Sequence, residues 1–240
     1  MQIHYLLSTE AGQRIKTCAF WSFILFFPTS LIFIFFPQID LYTSSLFVGS
    51  DNLFYLRSDP ALAISFKLVD WVARLVLVFL LIAAIYTWVK RQSRFIPIVF
   101  VFISLIFGPT VLVNDVFKEH WDRARPREIK EFGGTKIFTP AWVLSDQCQT
   151  NCSFTSGHAA AGFSPFVLFF ILRRYSSLAL FFGVLFGISI GYTRIIVGAH
   201  FLSDIVFSGF LVLLSSLLLA FLFWFYRTPL NKYFMKRFVL

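Results

Sequence analysis

Three short polar clusters interrupt a largely apolar chain, and their residue types suit chemistry on an anion. In the last of them, Thr193-Arg194 is followed by His200 and then Asp204. His200 and Asp204 are four residues apart, so on a helix they share a face. A carboxylate beside one imidazole nitrogen fixes the tautomer and leaves the other nitrogen free to act as a base or to attack. A polar pair buried between helices is the plainer alternative, but ionisable groups at membrane depth are expensive and by default mark function. The second cluster, Thr155-Ser156-Gly157-His158, opens an apolar run. Ser or Thr before such a run is a helix N-cap signal, and free backbone N–H groups with Gly157 allowing close approach form an anion site beside His158. Taken alone, this cluster reads better as an ordinary cap followed by a packed histidine. The first cluster, Lys118-Glu119-His120-Trp121-Asp122-Arg123-Ala124-Arg125-Pro126, supplies cations and ends where Pro126 stops any helix. Arg125 can grip phosphate through two parallel hydrogen bonds, while Lys118 acts as a point charge.

The elements that must position these clusters are membrane helices. The chain has 240 residues, 58% hydrophobic and 14% charged, with 34 Phe, where a soluble domain would be about a quarter charged. Apolar runs of spanning length cover about residues 17–36 (with Pro28 as a kink), 68–89, 95–116, 156–172 (short), 177–193 and 201–226. The expected fold is therefore all-α, an integral-membrane bundle of six helices forming one domain over 1–240, with its chemistry within 118–204. Basic residues cluster at Arg14 and Lys16, at Lys90, Arg91 and Arg94, at Arg173 and Arg174, and at Arg227, Lys232, Lys236 and Arg237. With six crossings all of these fall on one side, which the positive-inside rule makes cytoplasmic together with both termini.

The formal net charge of +9 would favour nucleic acid in a soluble protein. Here the basic residues divide between the two membrane faces, which disfavours a nucleic-acid partner. One outer loop, about 117–155, holds Lys118, Arg123, Arg125, Arg127, Lys130 and Lys136 on the wrong side for topology. Phosphate binding is one reason for them; neutralisation by Glu119, Asp122, Glu128, Glu131 and Asp146 is the other, and both can hold for different residues. Cys148 and Cys152 could be half a zinc site, but no second Cys or His pair follows at zinc spacing. A loop disulfide is the better reading if that loop faces an oxidising compartment. Trp71, Trp88, Trp121, Trp142 and Trp224 lie near span ends and read as an interfacial belt. Arg74, inside the second run, either snorkels or pairs with Asp70 one turn away. His4 and His120 match no motif position.

Taken together, Lys118-x6-Arg125-Pro126, Ser156-Gly157-His158 and Arg194-x5-His200-x3-Asp204 resemble the signature of the type 2 phosphatidic acid phosphatase (PAP2) superfamily, membrane branch. Thr155 stands where that pattern usually has Pro, and Thr193 where it has Ser; neither change removes a charged or nucleophilic group. The resemblance implies that His200 attacks phosphorus to form a phosphohistidine. It implies that Asp204 orients His200, and that His158 protonates the leaving oxygen and then activates water. Lys118, Arg125, Arg194, Ser156 and the Gly157 backbone hold the phosphate. These roles agree with the chemistry: fixed cations stabilise charge on the equatorial oxygens, and an alkoxide leaving group needs a proton donor. No metal and no cofactor are implied.

The loop segments Glu131–Pro140 and Gln147–Phe154, with the cysteines before Ser-Gly-His, look like the bacterial lipid A phosphatase branch. Its members remove the 1- or 4′-phosphate at the periplasmic face of the inner membrane. The expected partners are then a phosphorylated membrane lipid and the bilayer. Phosphatidylglycerophosphate, phosphatidic acid or undecaprenyl pyrophosphate is the alternative substrate. Vanadium haloperoxidases share the pocket but are soluble, and six spans argue against them. A non-catalytic membrane binding protein is the reading from a different class, disfavoured because every motif position is intact.

Overall fold

A computed structural model describes residues 8–226, so the expected topology cluster at Arg227, Lys232, Lys236 and Arg237, and His4, lie outside the described residues. Among the described residues the chain is all-helical, with seven α-helices, one π-helical segment and three 3-10 segments. Helix α1 is Thr9–Phe35 and α2 is Gln38–Ser45, while α3 is Pro60–Val89. Helix α4, Phe95–Leu105, widens into a π-helical segment Ile106–Lys118 that contains Pro109, a residue unable to donate to an α-helical ladder. Helix α5, Gly157–Phe163, tightens into a 3-10 segment Ser164–Phe170; α6 is Ser176–Ile196 and α7 is Leu202–Phe225.

Five of these helical stretches are long and apolar enough to cross a membrane: Thr9–Phe35, Pro60–Val89, Phe95–Lys118, Ser176–Ile196 and Leu202–Phe225. The chain is a multi-pass membrane protein. The fourth apolar run differs from the expected span: Gly157–Phe170 is a shorter apolar helix, broken at Ser164 where Pro165 follows. Helix α1 begins earlier than its apolar run, because Ser8 caps it by accepting from Ala11 N–H at 3.1 Å, and it runs on through Pro28. Helix α3 likewise begins earlier, with Asp59 accepting from Leu62 N–H at 2.8 Å and Pro60 in the first turn.

Helix α7 is the centre of the bundle and touches α1, α2, α4, α5 and α6. It buries polar Ser203, Asp204, Ser208, Ser215 and Ser216 together with Phe207, Leu211 and Val212. Helix α3 is peripheral: it buries only Ala84 and Thr87 and exposes Leu68, Trp71, Leu75 and Phe79. Helices α5 and α6 pack closely because Gly187 meets the Phe163 ring with no space for a Cβ, a small-residue contact of the kind that joins helices in lipid.

Beyond the spans, Trp121 and Trp142, two of the tryptophans near span ends, turn toward other aromatic rings. They pack edge-on at 5.8 Å and both contact Phe154, inside a cluster with Phe117 and Phe207. The cluster forms because residues 121–154 fold back over the N-terminal end of α7, where Trp142 and Phe154 meet Phe207. Trp224 Nε1 donates to the Ser8 carbonyl at 3.0 Å and so ties α7 to the start of α1.

Candidate active site

The site collects at one end of the bundle: the C-terminal ends of α4 and α6, the N-terminal ends of α5 and α7, and the 119–156 loop. Helix α6 stops just after Arg194, and Gly198, at φ +65°, turns the chain so that His200 enters directly ahead of α7. His200 is fully buried. Its Nδ1 lies 2.7 Å from the Ser153 carbonyl, a contact in which Nδ1–H donates. That leaves Nε2 as the lone-pair nitrogen, buried and without a hydrogen-bond partner.

Asp204 is close to His200, but it does more than face it. Asp204 Oδ2 lies 3.5 Å from His200 Nδ1, accepts from Ser153 Oγ at 2.5 Å and caps α7 by accepting from Phe201 N–H at 2.8 Å. The tautomer of His200 is therefore held first by the Ser153 backbone carbonyl, with the carboxylate behind it. Asp204 Oδ1 accepts from Arg123 Nη1 at 2.6 Å. Arg123 is wholly buried; it also donates to Asp40 Oδ2 at 2.8 Å, Ser203 Oγ at 2.8 Å and the Thr139 carbonyl at 2.8 Å, and stacks 4.2 Å over the Phe201 ring. Burial alone would lower the Arg123 pKa, but the Asp204 and Asp40 carboxylates outweigh it and hold the guanidinium above its ordinary value. Asp40 also accepts from Ser203 N–H at 2.8 Å, which fixes α2 against the start of α7.

Arg125 is held by backbone. Its Nη2 donates to the Asn151 carbonyl at 2.6 Å and to Asn151 Oδ1 at 3.0 Å, and Nη1 donates to the Ala199 carbonyl at 3.2 Å, next to His200. Asn151 lies inside the loop that the Cys148–Cys152 disulfide closes, with Cα atoms 5.6 Å apart. Burial and the neighbouring Arg127 push the Arg125 pKa down.

Ser156 caps α5 by accepting from Ala159 N–H at 3.4 Å, and its own N–H donates to Ser208 Oγ at 2.8 Å. Its hydroxyl proton stays available, and the next N–H is that of Gly157. A side chain on Gly157 would collide with Asn114 Oδ1, so the approach holds with glycine and otherwise calls for the Asn114 side chain to shift. His158 Nε2 lies 3.4 Å from Asp70 Oδ1 on α3. The Phe66 ring, one turn before Asp70, meets the His158 ring edge-on at 5.6 Å and carries the Arg194 guanidinium 4.0 Å from its centroid.

Lys118, Arg125, Arg194 and His158 all bear on His200. Burial first, and then the charges of Arg125, Arg194, Lys118 and His158, hold the His200 pKa well below the ordinary 6.5, so the imidazole is a neutral free base. The charged residues expected from the three motifs thus lie near enough to act on one imidazole, with Asp204 3.5 Å from it. Arg123, Asp40, Ser153, Asn151 and Asp70 were not singled out as site residues, and no local pattern marks them. Of the two readings of Arg74, pairing with Asp70 gives way: Asp70 turns to His158, while Arg74 lies 5.6 Å from the Trp71 ring centroid. His120 caps the end of the π-helical segment through the Asp115 and Val116 carbonyls, at 3.1 and 3.0 Å. In the loop, Glu128 pairs with Lys136 at 3.0 Å, so part of the basic stretch is neutralised locally and part faces the site.

A membrane-embedded helical bundle whose one end sets a neutral, buried histidine among three cations is the frame of an integral-membrane phosphatase. Residues 97–230 match the PAP2 superfamily, and the chain belongs to that superfamily. It is 35% identical over 197 residues to "Lipid A 4'-phosphatase" of Francisella tularensis subsp. novicida (strain U112), covering 78% of this chain and 86% of that one. It is 42% identical over 106 residues to "Lipid A 4'-phosphatase" of Rhizobium leguminosarum, covering 43% of this chain and 45% of the relative. It is 40% identical over 105 residues to the protein of the same name from Rhizobium etli (strain ATCC 51251 / DSM 11541 / JCM 21823 / NBRC 15573 / CFN 42), covering 42% of this chain and 40% of the relative. No solved structure matches the chain. The chain is a lipid phosphatase, a hydrolase of phosphoric esters.

Proposed function

We propose that the chain removes the 4′-phosphate of lipid A at the periplasmic face of a bacterial inner membrane, through a phosphohistidine on His200 and without a metal. The observation that carries the mechanism is the His200 imidazole: Nδ1 is tied to the Ser153 carbonyl, and Nε2 is buried and unpartnered amid the charges of Lys118, Arg125 and Arg194. Nε2 attacks phosphorus and the ester oxygen leaves with a proton from His158. His158 then takes a proton from water as that water attacks the phosphohistidine, releasing phosphate and restoring His200. The three cations, the Ser156 hydroxyl and the Gly157 N–H take the equatorial oxygens, where charge builds. Asp204 supports the imidazolium-like charge that forms on His200.

The 4′ position is favoured by the names of the three relatives, the first of which is covered over most of its length. The chain is read as one domain of six crossings, Gly157–Phe170 included, with both termini cytoplasmic. In support, Glu10 pairs with Arg173 at 3.0 Å and Arg14 Nη2 donates to Ser176 Oγ at 2.7 Å, gathering basic residues at the end of the bundle opposite the site.

Phosphate release by purified protein tests the reading, with lipid A, phosphatidic acid, phosphatidylglycerophosphate and undecaprenyl pyrophosphate compared in the presence of chelator. Fastest release from lipid A, at the 4′ position and lost in His200→Ala, supports it. Preference for another lipid overturns the substrate and leaves the mechanism. Activity that needs added metal overturns the mechanism.

A further inference from the structure

Helix α3 is the outlying helix of the bundle, yet it sends two side chains of one face to the site. Phe66 and Asp70 are four residues apart and so lie one above the other. Phe66 meets both the His158 ring and the Arg194 guanidinium. Asp70 Oδ1 lies 3.4 Å from His158 Nε2, an ion-pairing distance when the ring is protonated. The Asp70 side chain is about half exposed and the His158 side chain about one-fifth, so the pair sits at the open side of the pocket rather than in the core.

The charges facing His158 are uneven. Arg194 arrives from α6 and Lys118 from the end of α4, both positive; His200 faces it from the turn before α7; Asp70 from α3 is the carboxylate that acts on it. A general acid must carry its proton when the ester oxygen departs. Burial first, and then two nearby cations, oppose the protonated imidazole, and a carboxylate at contact distance favours it. We propose that Asp70 is a positioning residue for the leaving-group step: it favours the protonated form of His158 and aims the ring against Lys118 and Arg194, so that the site holds a second carboxylate–histidine pair opposite His200–Asp204. The inference rests on the reading of His158 as the general acid. Asp70 forms no bond to substrate. The proton on His158 passes to the ester oxygen as the phosphorus–oxygen bond breaks.

The role is specific to esters whose leaving oxygen needs a proton. The test measures kcat/KM against pH for full-length wild type, Asp70→Asn, Asp70→Glu and His158→Ala, each in detergent. Two substrates are compared: lipid A, an alkyl phosphate, and p-nitrophenyl phosphate, whose phenolate leaves readily without a proton. Asp70→Asn is expected to lower kcat/KM for the lipid about tenfold, part of the roughly hundredfold or more that a whole general acid contributes. Its alkaline limb is expected to move down by about one pH unit, because an imidazolium without its carboxylate gives up its proton sooner. Hydrolysis of the aryl ester stays near wild type, and Asp70→Glu restores most of the lipid activity and the limb. The limb is read on the lipid alone, so the test stands whether or not the aryl ester is turned over. Equal losses on both esters with an unmoved limb, or no loss at all, overturn the inference. If His158→Ala itself fails to discriminate between the esters, the general-acid reading fails; if it discriminates and Asp70→Asn does not, only the role of Asp70 falls.

Discussion

Arg123 Nη1 donates to Asp204 Oδ1 at 2.6 Å, with both side chains wholly removed from solvent. The same guanidinium reaches Asp40 at 2.8 Å, so one cation joins α2, the 119–156 loop and α7 directly beneath His200. Breaking a buried pair by removing one partner strands the other charge. Arg123→Met leaves two buried carboxylates facing each other and should destabilise the protein by about 3–5 kcal/mol. Thermal unfolding in detergent checks this. A variant that melts with wild type would show that the network does not hold the site.

The second expectation concerns the disulfide loop. Arg125 takes its orientation from the Asn151 carbonyl and Oδ1, and Asn151 sits within the Cys148–Cys152 ring. Asn151→Ala removes one hydrogen bond worth about 0.5–1.5 kcal/mol, so kcat/KM should fall several-fold, mostly through KM, because the phosphate grip loosens while the nucleophile is untouched. The double change Cys148→Ser with Cys152→Ser should act in the same direction. Steady-state kinetics with and without reductant decide it, and a loss confined to kcat would count against this account.

The third expectation is a pH dependence. His200 has its folded pKa depressed by burial and by the surrounding cations. The unfolded chain takes up that proton near the ordinary 6.5, while the folded chain resists it until well below. Protons therefore favour the unfolded chain as pH falls through 6.5: the stability present above that value is lost below it. The nucleophile meanwhile stays neutral, so the acid limb of kcat/KM should lie below 6.5. Melting temperature should fall less on acidification in His200→Gln than in wild type. Equal falls would mean that His200 does not titrate in this way.

A fourth expectation follows from Gly157, where a Cβ would strike Asn114 Oδ1. Gly157→Ala must either turn the Asn114 side chain away from the Pro109 carbonyl or push α5 from the π-helical segment that ends in Lys118. Activity should drop about tenfold or more, since small misplacements of a catalytic group are costly, while detergent melting changes little. Wild-type turnover in that variant would show that α5 and Asn114 can part freely.

Much of the site was legible in the sequence because its members carry their own signals. His200, His158, Lys118, Arg125 and Arg194 sit at fixed spacings beside apolar runs, and the structure gathers them about one imidazole. The supporting residues carry no such signal. Asp40 lies 83 positions before Arg123, in a stretch that reads only as an outer loop and folds into α2. Ser153 acts through a backbone carbonyl, which any residue type supplies. Asp70 reads as a partner for Arg74 because both lie one turn apart on α3, and only the approach of α5 gives it a different one. Tryptophans at span ends suggest an interfacial belt from hydropathy alone, whereas Trp121 and Trp142 are drawn inward by a loop path that periodicity does not encode. The fourth run is apolar enough to suggest a span, but its helix changes to 3-10 at Ser164, just before Pro165, and ends at Phe170.

The central claim is the phosphohistidine on His200, and trapping it is the direct test. Purified protein is mixed with lipid A carrying radiolabelled phosphate, quenched in alkali during turnover, digested and mapped by mass spectrometry. The account predicts label on the peptide that contains His200, in a bond that acid breaks and alkali spares, and none in His200→Ala, which also releases no phosphate. Label on another residue, or full turnover by His200→Ala, would contradict it.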